Sequence, residues 1–175
     1  MPKSLLLLVD AVVVIHLHEL GLWEPLLKLY DVHLSRGIVD EAHFYTDEDG
    51  VSHTIELSKY EASKRIVVHD VSLAETKPLR RQFGQDILEK LDPGEAELLA
   101  ILYNNSFDEY KICSADKIVF RVLGALRLSE QGVSLEEVFR AVGITHSVSQ
   151  AYSKKYREQY SRKGFEEGIT GLSSL

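Results

Sequence analysis

The chain has 175 residues and a formal net charge of −7, from 27 Asp and Glu against 20 Lys and Arg. That length suits one ordinary domain with a small appendage, and an apolar content of 45% excludes a disordered acidic tail. The single cysteine, Cys113, excludes an internal disulfide and a multi-cysteine zinc site, and the acidic balance excludes holding nucleic acid mainly by overall charge.

The apolar run Leu5 to Val9 is interrupted by Asp10 and resumes at Val12 without a small-residue cleavage site. It is too short for a membrane span, and a carboxylate inside a secretory signal core is costly. The pattern predicts a buried parallel strand from Ser4 to Val9 with Asp10 at its end, in a soluble cytoplasmic protein. Helices are predicted over Val12–Leu20 and Leu22–Leu29, a strand over Val32–Leu34, and a short helix from Arg36 to about Ala42. In that helix Glu41 lies beside the apolar face and Asp40 points more nearly away from it. His43–Thr46 and Val51–Ile55 flank Asp47-Glu48-Asp49-Gly50 and read as a β-hairpin.

Further along, a strand is predicted over Ile66–Val68, a helix over Ala74–Leu88 and another opening at Asp92-Pro93-Gly94-Glu95. A strand over Tyr110–Cys113 leads into Ser114-Ala115-Asp116 and a helix from Lys117 to Leu126. After Arg127 the pattern is helical only, with predicted helices over Leu135–Val142 and about Ser149–Lys163, and a fraying tail over Gly164–Leu175. Alternating strands and helices predict an α/β fold, a three-layer sandwich around a central, mostly parallel sheet with a β-hairpin insertion and a helical C-terminus.

Asp10 and Asp116 both follow apolar strands, and ligands of open α/β sheets collect beyond the carboxyl ends of strands. Carboxylates gathered there suit Mg²⁺ or Mn²⁺, which prefer hard oxygen donors. Each Asp also suits a helix N-cap, and Glu95 suits the third position of a capping box. Glu95 and Glu97 lie about 200° apart around a helix, so only one can face such a pocket, and periodicity does not choose between them.

The segments Leu-Leu-Leu-Val-Asp10, Gly37-Ile-Val-Asp-Glu41, Leu-Asp-Pro-Gly94-Glu95-Ala-Glu97 and Ile-Cys-Ser114-Ala-Asp116-Lys, in that order, resemble a PIN-domain protein. The resemblance covers residues 4 to about 143 and is to a prokaryotic branch close to the toxin nucleases of type II toxin–antitoxin pairs. It implies a metal-dependent ribonuclease in which Asp10, Glu41, Glu95 and Asp116 hold one or two Mg²⁺ or Mn²⁺ ions and carry catalysis. Glu97 and Ser114 are further candidates, Ser114 matching a small hydroxyl residue that often precedes the last Asp. The family usually carries Ser, Thr or Asn two residues after the first Asp, where this chain has Val12; that departure favours the alternative, a catalytically inactive PIN-fold module binding RNA or protein. The implied organisation is a PIN-like nuclease domain at 1–143 and a C-terminal helical extension at 144–175. Implied partners are RNA, an antitoxin protein and a second copy of the chain, with no membrane.

Charge is uneven along the chain, with 9 acids against 3 bases over residues 1–50 and 3 against 5 over residues 146–175. Lys154, Lys155 and Arg157 interleave with Tyr152, Tyr156 and Tyr160, which share one helical stripe. The stripe reads as packing with a solvated basic face, as a phosphate-tracking surface or as a partner-docking site. His16-Leu17-His18-Glu19 lacks the second histidine of a zinc-protease helix, and the Asp47 loop lacks the first carboxylate of an EF-hand. No Gly-rich phosphate loop or Gly-x-Ser-x-Gly elbow occurs, which excludes P-loop NTPases and α/β-hydrolases.

Overall fold

The structure is a computed structural model that describes residues 6–105 and 110–170. The elements are β1 (Leu6–Val9), α1 (Ala11–Glu19), α2 (Trp23–Leu29), β2 (Asp31–Ser35), α3 (Arg36–Glu41), β3 (Phe44–Thr46), β4 (Ser52–Thr54) and α4 (Leu57–Ala62). There follow β5 (Ile66–His69), α5 (Leu73–Arg80), α6 (Gln85–Leu88), α7 (Pro93–Asn104), β6 (Tyr110–Cys113) and α8 (Lys117–Ala125). The chain continues through β7 (Gly132–Val133) and α9 (Leu135–Ala141) to α10 (Lys154–Thr170).

Among the described residues β5-β2-β1-β6-β7 form a five-stranded sheet whose pairs are all parallel, and β3-β4 form a separate antiparallel hairpin. The apolar runs explain the centre: Leu7, Leu8, Val9, Val32, Leu34, Ile112 and Cys113 are buried, as strands covered on both faces require. Helices flank the sheet, with α7 against β2 and β6 and α5 against α7, completing the three-layer α/β sandwich. The chain starts at β1 in the middle, builds outward through β2 and β5, and then returns to build β6 and β7 on the other side. The reversal lies between β1 and β6, so Asp10 and Asp116 leave the sheet on either side of its topological switch point.

Several elements differ from the sequence expectation. The predicted helix over Ala74–Leu88 is two helices, broken before Gly84, which takes extended backbone as the N-cap of α6. Helix α4 and the two-residue strand β7 were not expected; β7 pairs Gly132 and Val133 with Ile112 and Cys113. His33 and His69, scattered in sequence, meet with ring nitrogens 2.8 Å apart, because β2 and β5 are neighbours and both side chains lie on one sheet face.

The largest difference is at the C-terminus. Gly164 was expected to begin a fraying tail, yet α10 continues through it to Thr170, and residues 171–175 lie outside the described residues. Here glycine serves close approach rather than flexibility. A Cβ at Gly164 would lie 1.9 Å from the Arg121 carbonyl oxygen, and one at Gly124 would lie 2.0 Å from that of Ser161. The two helices therefore touch backbone to backbone, and Arg121 closes the seam with a two-pronged pair to Glu167 at 3.0 and 3.1 Å.

Candidate active site

Asp10 is held where β1 ends. Its backbone N–H donates to the Cys113 carbonyl at 3.1 Å, tying the ends of β1 and β6 together. Its side chain is only 3% exposed and accepts a hydrogen bond from the fully buried Ser114 hydroxyl at 2.8 Å. Ser114 in turn accepts from the Asp116 backbone N–H at 3.0 Å, so one serine fixes both strand-end acids. Asp116 caps α8, accepting from the Ile118 N–H at 2.8 Å. The sequence allowed Asp116 a capping role or a site role; the cap is formed at the switch point, so the two roles are compatible.

The structure separates Glu95 from Glu97. Glu95, on α7, is 5% exposed; one oxygen accepts from the Asp92 N–H at 3.0 Å, and the carboxylate lies within electrostatic reach of Asp10 and Asp116. Glu97 points instead to α3, where it accepts from the Gly37 N–H at 2.9 Å. It supplies negative charge to the positive end of that short helix. The approach demands a glycine, since a Cβ at Gly37 would lie 2.9 Å from the same carboxylate oxygen.

Glu41 sits at the exposed rim of the group, on a cleft of about 570 Å³ lined by Arg36, Asp40, Glu41, Asp92 and Glu97. Asp40, expected to point away, shares this cleft. Asp92 was read only as a cap, yet its charge bears on both Glu41 and Glu95. The Asp-Pro-Gly-Glu capping pattern was the available signal, since a capping box brings its two acids together.

Burial and neighbouring carboxylates disfavour the charged forms of Asp10, Glu41 and Glu95. Burial, followed by the charges of Glu41 and Asp116, pushes Asp10 up to about 6 against the opposing Ser114 hydrogen bond. Burial, then Asp10, pushes Glu95 up to about 8, with Asp116 and Asp92 adding to the shift. Glu41 is raised by burial and by Asp92. Among the described residues no Lys or Arg ion pair reaches Asp10, Glu41, Glu95 or Asp116. The donors are all hard oxygens, the chemistry that Mg²⁺ and Mn²⁺ select. They are not at ligand spacing: among the described residues no three His, Cys, Asp or Glu groups converge closely enough to hold one ion. Mutual repulsion opposes such convergence.

Among the described residues the basic side chains of the C-terminal region form no ion pair with this group. Arg157 is committed to Glu137 through two hydrogen bonds of 2.8 and 2.9 Å, joining α10 to α9. Lys154 reaches Glu158 at 3.6 Å, and Lys155 is exposed. The helix expected from about Ser149 begins at Lys154, after a 3-10 turn and extended Ser153, so Tyr152 does not share a helical stripe with Tyr156 and Tyr160: Tyr152 stacks on His16, and Tyr156 packs edge-on to Phe120 and against Tyr160. His16 and His18 diverge, His16 bonding Glu19 at 2.9 Å and His18 bonding the Val14 carbonyl at 2.8 Å while stacking on Trp23. Asp47 accepts from the Asp49 and Val51 N–H groups and pairs with His53, organising the hairpin turn. Cys113 is fully buried.

Among the described residues no helix is long and apolar enough to cross a membrane. The sequence matches no protein-family model and no curated protein.

Proposed function

We propose that the chain is a PIN-like, Mg²⁺- or Mn²⁺-dependent ribonuclease, the toxin of a toxin–antitoxin pair, with Asp10, Glu41, Glu95 and Asp116 as its acids. The observation that carries this reading is the pair Asp10 and Glu95. Two carboxylates are buried at a topological switch point, Asp10 adds to the upward shift of Glu95, and no Lys or Arg ion pair compensates either one among the described residues. Such pairs are costly to a fold and are characteristic of functional sites.

When bound, a divalent cation supplies an activated water and neutralises charge on the scissile phosphate. Asp10 and Asp116 would hold it from the two central strands, Glu95 from α7 and Glu41 from the rim. The Ser114 hydroxyl and the Ala11 backbone N–H hold the Asp10 carboxylate in place, leaving further lone pairs on its oxygens as donors. Val12 therefore does not leave Asp10 unsupported: the hydroxyl comes from Ser114, the residue after β6, rather than from α1. Hydrolysis by this route requires no histidine and no covalent nucleophile.

The test is cleavage of single-stranded RNA with Mn²⁺, comparing wild type with Asp10→Asn and Asp116→Asn. Wild-type cleavage that both substitutions abolish, with unchanged folding by circular dichroism, is the expected result. Equal activity in all three proteins would overturn the assignment, and a wild type that never cleaves would favour the binding-module alternative.

A further inference from the structure

We infer that the pocket between α9 and the β6–β7 edge of the sheet binds a small apolar monocarboxylate, a hydrophobic ring on a short acid arm, with Lys111 as the partner of the carboxylate. The site is independent of the ribonuclease reading. It encloses about 220 Å³ and shares no lining residue with the acid cleft. A cavity of about 150 Å³ holds benzene, so this one has room for a ring and a short arm. Leu7, on its wall, lies three residues before Asp10, about 10 Å back along β1.

Strand register explains the cavity. Leu7 and Lys111 are partners across β1 and β6, and Cys113 and Val133 across β6 and β7, so Leu7, Lys111 and Val133 rise from one face of the sheet. Val138 and Ala141 of α9 form the opposite wall, and the Tyr30 hydroxyl donates to the Val138 carbonyl at 3.3 Å on one side. Two positions are too small to fill the space between, Gly132 with no side chain and Ala141 with a methyl group. The walls are therefore mainly apolar, and an apolar ring gains by leaving water for them.

Charge selects the head group. Glu137 accepts two hydrogen bonds from Arg157 and two from Ser134, and Arg157 lies between Glu137 and Glu158, so these charges are balanced. Lys111 differs. It is half-buried, its Nζ donates to the Glu130 backbone carbonyl, and among the described residues it forms no ion pair. An ammonium carries three N–H donors, which leaves two for an anion. The Glu130 carboxylate belongs to an exposed residue, where water and salt screen its repulsion. One open cation balances one negative charge, which favours a carboxylate over a doubly charged phosphate. The apolar walls in turn reject a polar tail, whose burial would go uncompensated.

The experiment titrates 3-phenylpropionate, and separately its uncharged amide, into the ¹⁵N-labelled full chain and follows the backbone amide signals of Gly132, Val133 and Ala141 by NMR. A ligand of about eleven non-hydrogen atoms is expected to bind with a submillimolar Kd. The amide is expected to bind about tenfold more weakly. Lys111→Met keeps the apolar stem, so it should weaken the acid by about the same factor and leave the amide unchanged. Ala141→Leu, at an exposed position, narrows the mouth and should weaken acid and amide alike. The comparison of acid with amide is made on wild type, so it decides even where a variant fails to fold. No saturable shift in wild type up to about 10 mM, or equal Kd values for acid and amide, would overturn the site. So would a folded Lys111→Met that binds the acid as tightly as wild type, or shifts confined to another part of the chain.

Discussion

At the carboxyl ends of β1 and β6, Asp10, Glu95 and Asp116 stand within one another's electrostatic reach, and two of them are almost wholly buried. Along the seam of α8 and α10, two helices meet at Gly124 and Gly164 with no room for a methyl group. Both regions are tightly packed, but the forces in them oppose each other. The seam gains dispersion and burial from close backbone contact. In the acid group, burial together with neighbouring carboxylates makes Asp10 and Glu95 harder to ionise. A fold that retains such a group must be stabilised elsewhere, and α10, packed along α8, the helix that Asp116 caps, is one place where that happens. Substitutions should accordingly act in opposite directions in the two regions.

The largest effect is expected at the seam. Gly164→Ala places a Cβ against the Arg121 carbonyl, and overpacking of this kind costs about 3 kcal/mol. Denaturant titration should show a lower midpoint with an unchanged m-value. A neutral Gly164→Ala would mean that α10 does not pack on α8 as described.

A smaller effect of opposite sign is expected at the acids. In the folded state Glu95 holds its proton up to about 8, against 4.5 for an unperturbed glutamate. As pH rises through that interval the unfolded chain releases a proton that the folded chain retains, so stability falls. Glu95→Gln keeps the oxygen that accepts from Asp92 and removes the titration. It should stabilise the metal-free protein by about 1–2 kcal/mol near pH 8, or roughly 3–6 °C in Tm, and by nothing near pH 4. Equal melting temperatures at both pH values would show that Glu95 is not strained by its neighbours.

The central strands and most helices were legible in the sequence because their signals are local. Continuous apolar runs mark β1 and β6, and Ser72 and Ser134 cap α5 and α9 through complete capping boxes. Strand β7 was not legible, since two residues cannot display a period. Gly164 and Gly168 were misread because composition reports only their freedom, while their use depends on a partner helix more than thirty residues away. The same limit applies at the site. Strand-end position marked Asp10 and Asp116, but periodicity could not choose between Glu95 and Glu97. That choice depends on the Gly37 N–H, delivered by α3 from sixty residues upstream. The Ser114–Asp10 bond and the His16–Tyr152 stack are long-range contacts of the same kind.

This contrast on α7 makes the central claim directly measurable by calorimetric titration of Mn²⁺ into wild type, Glu95→Gln and Glu97→Gln. The acids act as a metal site if wild type gives a saturable heat, Glu97→Gln retains it, and Glu95→Gln weakens it by at least tenfold. No binding by wild type at millimolar Mn²⁺, or an unaltered isotherm for Glu95→Gln, would contradict the account.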